Sequence, residues 1–351
     1  MEKKRIVFLY TEIASYFLAC IEKLAQEPNV EITVVRWPLN QEAPFDFKLS
    51  PSISFYTRTD FKTEQDLLTF IAKLNPSVLY CRVWMDKGSF KVCKKSKDEI
   101  PVVVGFDTPW KGNLKQQIAR LVSPFKILNH FSHCWVPGSL QVEYAIKLGF
   151  KKEQILTGFY SCDFDFFYNQ YLENKEEKHK QFPKKFIYVG RYYDFKGIDF
   201  LWKAFIDIQE EYPNDWELWC LGTGDIEPVS HPKIKHFGFV QPFDLKEYIK
   251  NTGVFVLPSL FEPWGVVVHE YASAGFPIIC SDKVGARTAF VENNYNGYIY
   301  KSDDAMVLKA CLLKIIKSNS NQLIEMADKS IEKAKKITPE IWAKQLLSLL
   351  K

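Results

Sequence analysis

In Phe261-Glu262-Pro263-Trp264-Gly265-Val266-Val267-Val268-His269-Glu270, two carboxylates stand with seven residues between them. Pro and Gly in front, a run of ordinary helix residues, and Gly275 with Pro277 behind predict a helix of about three turns entered through a loop. Glu270 then lies inside the helix and Glu262 just before it. Both flank a helix N-terminus, where free N–H groups and the positive end of the dipole attract an anion, and a phosphate suits that place. Val266 and Glu270 share a face roughly 6 Å apart along the axis, close to the step from a bound diphosphate to its ribose. The stretch reads as half of a nucleotide-sugar site. A second segment, Gly190-Arg191-Tyr192-Tyr193-Asp194-Phe195-Lys196-Gly197, puts an arginine and a lysine in one loop held by two glycines. Arginine offers forked donors and lysine a point charge, which together suit the negative charge that gathers on a departing diphosphate. Taken alone, such a pair is a solvated turn.

These residues need rigid elements beneath them. Residues 6–10 form a short apolar run of buried-strand type, 13–26 are periodic as a helix, and 32–37 read as a second strand, the opening of a parallel α/β sheet. Further strands are expected at 52–56, 78–82, 102–106 and 134–136, with helices at 64–74, 114–121 and 140–148, which makes residues 1–162 a doubly wound domain. Residues 163–185 carry a charged run through Lys180 that suits no core and are read as an inter-domain linker. Residues 186–337 resume the pattern, with strands at 186–189, 216–221, 234–237, 254–257, 278–280 and 298–300. Thr338-Pro339-Glu340 starts a last helix over 338–351, whose apolar side, Trp342 included, is expected to pack on a domain, most naturally the first. Two domains fit the length of 351 residues. Ligands of open α/β sheets bind beyond the carboxyl ends of the strands, so the two domains are expected to face one another across a cleft.

Composition excludes several classes. A net charge of +4 and a pI near 8.4 are far from the basic composition of a nucleic-acid binder. The eight cysteines are scattered without a CxxC pair, which reads as buried reduced thiols. The apolar run behind Met1 is too short for a signal h-region, and no run has transmembrane length, so a cytoplasmic location is expected, with peripheral contact at the inner face of a membrane left open. Neither half carries G-x-G-x-x-G after its first strand, which speaks against a nicotinamide dehydrogenase.

The order Gly190-Arg191, Lys196-Gly197, Gly222-Thr223-Gly224, Gly238, Pro258-Ser259, Glu262, Gly265, Glu270, Gly275-Phe276-Pro277, Gly285 and Asn296-Gly297 resembles the second domain of the retaining GT-B glycosyltransferases, in particular family 4 with its Glu-x7-Glu signature. The resemblance covers residues 186 to 315. It implies a metal-independent transfer of a sugar from a UDP- or GDP-linked donor to a hydroxyl of a glycan or lipid-linked acceptor, as in cell-surface polysaccharide biosynthesis. It also implies that Glu270 bonds the ribose and Glu262 the donor sugar. Arg191 and Lys196 would hold the diphosphate with Gly190, Gly265 and the N–H groups of Val266 and Val267, and Gly238 and Phe239 would edge the base pocket. No cofactor and no nucleic acid are called for.

The first half resembles the family less. Val102-Val103-Val104-Gly105-Phe106-Asp107 is similar to the family's strand ending in His-Asp, with Asp107 at the aspartate and Phe106 where histidine is usual. Thr11-Glu12-Ile13-Ala14-Ser15 lacks the usual glycine-rich turn. Asp107 and Arg82 are the candidates for ordering sugar or acceptor hydroxyls, with a surface or linker ion pair as the other reading of Arg82. These departures keep open a non-catalytic sugar-nucleotide or glycan-binding subunit; another GT-B enzyme, such as a phosphorylase or nucleotide-sugar epimerase, is the second alternative, although the lysine Schiff base and longer chain of a pyridoxal-type phosphorylase are not seen. His269 neighbours Glu270 but need not face the ligand, since helix neighbours point about 100° apart. His130 and His133 have a spacing that fits one helical face, yet no third metal ligand is evident. The basic clusters at 91–97 and 147–152 are read as solvated faces, with docking on an anionic membrane as the alternative.

Overall fold

The computed structural model describes residues 3–38, 50–83, 85–302 and 304–350. The chain divides into two compact units, one of residues 1–162 with 337–351 and one of residues 163–336.

The first unit is built on β1 (Lys4–Tyr10), β2 (Val30–Arg36), β3 (Ile53–Thr57), β4 (Val78–Cys81), β5 (Val102–Gly105), β6 (His133–Trp135) and β7 (Ile155–Leu156). They form one parallel sheet in the order β3-β2-β1-β4-β5-β6-β7. Between them run α1 (Ser15–Ala25), α2 (Glu64–Leu74), α3 (Lys87–Ser96), α4 (Leu114–Lys126) and α5 (Ser139–Lys147). Every residue of β4 and β5 is buried, which explains why these strands read as continuous apolar runs instead of alternating ones.

The second unit begins with α6 (Phe164–Lys180), followed by β8 (Lys185–Val189), α7 (Ile198–Glu211), β9 (Glu217–Leu221), β10 (Ile234–His236), α8 (Leu245–Asn251), β11 (Val254–Leu257), α9 (Val266–Ser273), β12 (Ile278–Ser281), α10 (Arg287–Phe290), β13 (Gly297–Tyr300), α11 (Ala305–Lys317) and α12 (Ser320–Ala334). Its parallel sheet has the order β10-β9-β8-β11-β12-β13. In both sheets the winding reverses direction once, between β1 and β4 in the first and between β8 and β11 in the second. At such a reversal, adjacent strands send their loops apart and open a crevice at their carboxyl ends. Both halves are thus Rossmann-like doubly wound domains.

Two expectations need correction. Residues 163–185 are no linker: Asp163 caps α6 by accepting from the Phe166 N–H at 3.2 Å, and the helix packs on α9, α12 and α8. Its inward stripe is Phe164, Phe167, Gln170 and Asn174, with Lys178 carrying its ammonium 4.1 Å from the Phe276 ring centre. Half of that stripe is polar, so hydropathy reads a solvated run where the fold has a packed helix. The helix after Gly265 has eight residues, about two turns rather than three.

The C-terminal α13 (Pro339–Leu347) lies in the first unit against α1. Trp342 stacks on Trp135 at 4.7 Å and donates its indole N–H to the Phe159 carbonyl at 2.8 Å. All eight cysteines are buried and none is bonded to another. No described helix is long and apolar enough to cross a membrane.

Candidate functional site

In the second unit the cationic loop leaves β8 and the acidic segment leaves β11, the two strands on either side of the winding reversal. The loop from Gly190 to Gly197 closes in a short turn at Asp194–Lys196. Gly197 has φ +62°, and a Cβ there would lie 2.5 Å from the Pro258 carbonyl oxygen, so only glycine lets the two loops touch. The contact is sealed by the N–H groups of Leu260 and Phe261, both donating to the Phe195 carbonyl at 2.9 and 3.1 Å. Lys196 is thereby brought onto the Glu262 carboxylate as an ion pair, with the Ser259 hydroxyl 3.4 Å from the same oxygen. Arg191 is exposed and lies 5.8 Å from the centre of the Tyr193 ring.

Glu262 is held from the other side as well. Its N–H donates to the Lys283 carbonyl and its own carbonyl accepts from Gly285, tying it to the loop after β12. Gly265 ends this loop at φ +91° and caps α9, where a Cβ would sit 2.9 Å from Glu262 Cγ. No side chain caps the helix, so Val266 and Val267, both partly exposed, start α9 with N–H groups that have no capping side chain.

Glu270 is half-buried one turn further along α9, and burial raises its carboxyl to about 7, with the nearby Asp163 carboxylate adding repulsion. Asp163 belongs to the stretch read as linker; only its position on α6 signals that it borders the site. The folded chain holds the Glu270 proton from the unfolded value near 4.5 up to about 7. Glu270 therefore contributes stability most fully below that unfolded value and loses it as the pH rises through about 7. The urea midpoint of the wild type, taken against Glu270→Gln, is expected to fall from about pH 5 to about pH 8. A difference that stays constant over the range would remove this assignment.

Gly190 continues β8 by donating its N–H to the Leu221 carbonyl. Gly238 follows β10 at φ +69° with open space at its Cβ, its carbonyl accepting from Gly222 at 2.7 Å, and Phe239 beside it is exposed. Both lie on the β8–β9–β10 side at the carboxyl edge of the sheet. His269 turns away: it is buried, stacks on Phe290 at 4.1 Å and meets the Ala334 carbonyl at 3.1 Å through Nε2, so it is a packing residue.

In the first unit, Arg82 follows β4 and donates to Asp107, which follows β5, at 2.9 Å; the Tyr160 hydroxyl donates to the same oxygen at 2.9 Å. Tyr10 Oη at the end of β1, Tyr80 Oη on β4 and Arg82 Nη1 are buried without a hydrogen-bond partner. Buried polar groups are costly to leave unpaired, which makes this cluster at the winding reversal the first unit's candidate for ligand contact. The tyrosines escaped the sequence reading because they sit in apolar strand runs, where an aromatic is ordinarily core. Phe106 packs edge-on against Tyr144, and the turn after β1 leaves α1 with Ala14 as an uncapped start.

The two histidines considered as metal ligands do not share a helix. His130 stacks on Phe90 at 3.5 Å, while His133 opens β6 and pairs with the Ser132 hydroxyl. Among the described residues no three His, Cys, Asp or Glu side chains group as a metal site. The basic clusters are interleaved with acids: Lys91 with Glu64, Lys97 with Asp98 and Lys147 with Glu143.

Residues 170–337 match the family described as glycosyl transferases group 1. An uncharacterized glycosyltransferase of Methanocaldococcus jannaschii is 33% identical over 135 residues, 35% of this chain and 34% of that protein. The alpha-monoglucosyldiacylglycerol synthase of Acholeplasma laidlawii is 23% identical over 93% of this chain and 85% of its own length. The chain spans less than half the length of the first curated relatives it matches. Among solved structures, the Anabaena protein HepE, crystallised with UDP and glucose, superposes with a TM-score of 0.70 at 11% identity over 99% of both chains. The chain has the two-domain GT-B glycosyltransferase fold.

Proposed function

We propose that this chain is a retaining, family 4-like glycosyltransferase that moves a sugar from a UDP- or GDP-linked donor to a hydroxyl of a glycan or lipid-linked acceptor. The observation that carries the reading is the meeting of Lys196 with Glu262 beside the uncapped start of α9, at the winding reversal of the second sheet. A donor diphosphate placed there takes the N–H groups of Val266 and Val267, with Gly190 and Gly265 letting the backbone approach. Arg191 and Lys196 balance its charge in the role a divalent ion could otherwise fill. Glu270 accepts from the ribose hydroxyls, Glu262 orders the donor sugar, and Gly238 and Phe239 edge the base.

In the reaction the bond from the anomeric carbon to the phosphate oxygen breaks, and the acceptor oxygen bonds that carbon from the same face. The departing phosphate oxygen takes the acceptor's proton, so the step needs no separate base. Asp107, held by Arg82 and Tyr160, orders acceptor hydroxyls. We place the reaction in the cytoplasm, a reading supported by eight buried, unbonded thiols.

A thermal-shift panel of UDP, GDP, ADP and their sugars, followed by anomeric analysis of the product, tests this. A rise with one diphosphate class and a product of retained configuration are expected, with turnover unchanged by a chelator. Inversion, or total loss in EDTA that manganese restores, would contradict it. Phe106 in the place of the family's histidine favours a second reading, a non-catalytic nucleotide-sugar-binding subunit. That reading predicts a thermal shift with neither transfer nor donor hydrolysis.

A further inference from the structure

Helix α4 is built inside out. At about 100° per residue, Leu114, Ile118, Leu121, Val122 and Phe125 fall on one arc about 100° wide, while Gln116 and Ser123 lie roughly opposite. In a helix laid on a domain the apolar arc faces the core; here the polar pair does. Gln116 is buried, accepts from the N–H groups of Lys111 and Gly112 at 2.7 and 3.1 Å, and donates to the Pro109 carbonyl at 2.8 Å. Ser123 is fully buried and donates to the Leu148 carbonyl at 2.6 Å. The apolar arc is in solvent: Leu114 is 76% exposed, Leu121 74% and Phe125 77%.

Along the chain before and after this arc the charges have one sign. From Thr108 to Val142 the sequence has no acidic residue, and its charged side chains are Lys111, Lys115, Arg120 and Lys126. Lys115 and Lys126 fall at about 100° and 120° on the same wheel, along one edge of the apolar arc. An apolar stripe bordered by cations, on a helix whose other face is pinned to a domain, fits an interface that is apolar inside and anionic at its surface. A protein partner would need acidic residues placed around an apolar groove, whereas an anionic bilayer offers both over any area.

We propose that α4 docks the first domain on an anionic lipid surface, its apolar arc entering the headgroup boundary and Lys115 and Lys126 meeting lipid phosphates. The docking face is α4 rather than the basic clusters at 91–97 and 147–152, where Lys91, Lys97 and Lys147 each have a carboxylate within 4 Å. This does not rest on the transfer reaction, so flotation and the nucleotide panel fail independently.

The test is flotation of the full chain with vesicles of phosphatidylglycerol and phosphatidylcholine in equal parts, and with phosphatidylcholine alone. Partition onto the anionic vesicles is expected to be at least about tenfold higher, and to fall with added salt. Leu121→Glu/Phe125→Glu should lower it at least about tenfold. Lys115→Glu/Lys126→Glu should remove the preference for anionic lipid. All four positions are on the exposed helix surface, and an unchanged circular dichroism spectrum and melting temperature control for folding. The milder Leu121→Ala/Phe125→Ala should give an intermediate loss. Equal partition onto both vesicles, absence of flotation, or variants that float like the wild type would overturn the proposal. So would a wild-type dimer that the glutamate variant makes monomeric, because the arc would then be covered by a second copy.

Discussion

Lys196→Ala is expected to lower kcat by about 10²- to 10³-fold, with a smaller change in KM for the donor. The lysine is positioned by three constraints that do not depend on substrate: the turn at Asp194–Lys196, the close approach of Gly197 to Pro258, and the ion pair with Glu262. A charge fixed in advance is most useful where new charge appears, and in the proposed transfer that is on the departing diphosphate. The side chains of Lys196 and Glu262 are 18% and 14% exposed, so the pair is little screened by solvent and the removal of one member is felt by the other. The double variant Lys196→Ala/Glu262→Ala separates the two causes. If the loss arises only from an unpaired Glu262, the double variant turns over as fast as Glu262→Ala alone; if it arises from the missing cation, the double variant is slower than Glu262→Ala by about the same factor. Glu262→Ala alone should cost turnover more than nucleotide affinity, and Glu270→Ala should weaken nucleotide binding. A Lys196→Ala enzyme within threefold of wild type would remove the assignment.

Trp342→Ala is expected to destabilise the first domain by about 3–5 kcal/mol. The indole is 1% exposed and stacks on Trp135 and Phe8, and its N–H satisfies the Phe159 carbonyl. Truncation opens a cavity among aromatic rings and leaves that carbonyl unpaired. For a domain of this size the loss corresponds to a fall in melting temperature of roughly 6–20 °C. Calorimetry reads it in the transition that nucleotide does not shift, while the nucleotide-stabilised transition should keep its place. A change below about 1 kcal/mol would mean that α13 is dispensable to the domain.

The strands were legible because both sheets are parallel and covered on both faces, which turns each central strand into a short unbroken apolar run such as Val254–Leu257. The residues proposed for the donor site could be singled out because their glycines, cations and carboxylates lie in two short segments whose local chemistry suits phosphate. Helix α6 was not, because its inward stripe mixes Phe164 and Phe167 with Gln170 and Asn174, and its outer face is charged. The inverted face of α4 escaped for the opposite reason: periodicity reports that an apolar arc exists and is silent on which way it points. Tyr10 and Tyr80 read as core and are buried, but their hydroxyls have no partner, a fact visible only once their neighbours are known.

From sequence alone came two doubly wound halves, a loop that sets Arg191 and Lys196 between glycines, and a helix start flanked by Glu262 and Glu270, since each depends on residues close along the chain. Tertiary structure alone decided that Lys196 and Glu262 form a pair across 66 positions, that Asp163 crowds Glu270, and that Arg82, Asp107 and Tyr160 make one cluster. Lys196 with Glu262 and Arg82 with Asp107 are contacts between segments that leave adjacent strands, while Asp163 reaches Glu270 through the packing of α6 on α9. A parallel sheet sets neighbours by winding and not by proximity in sequence, so such pairings leave no local pattern to read.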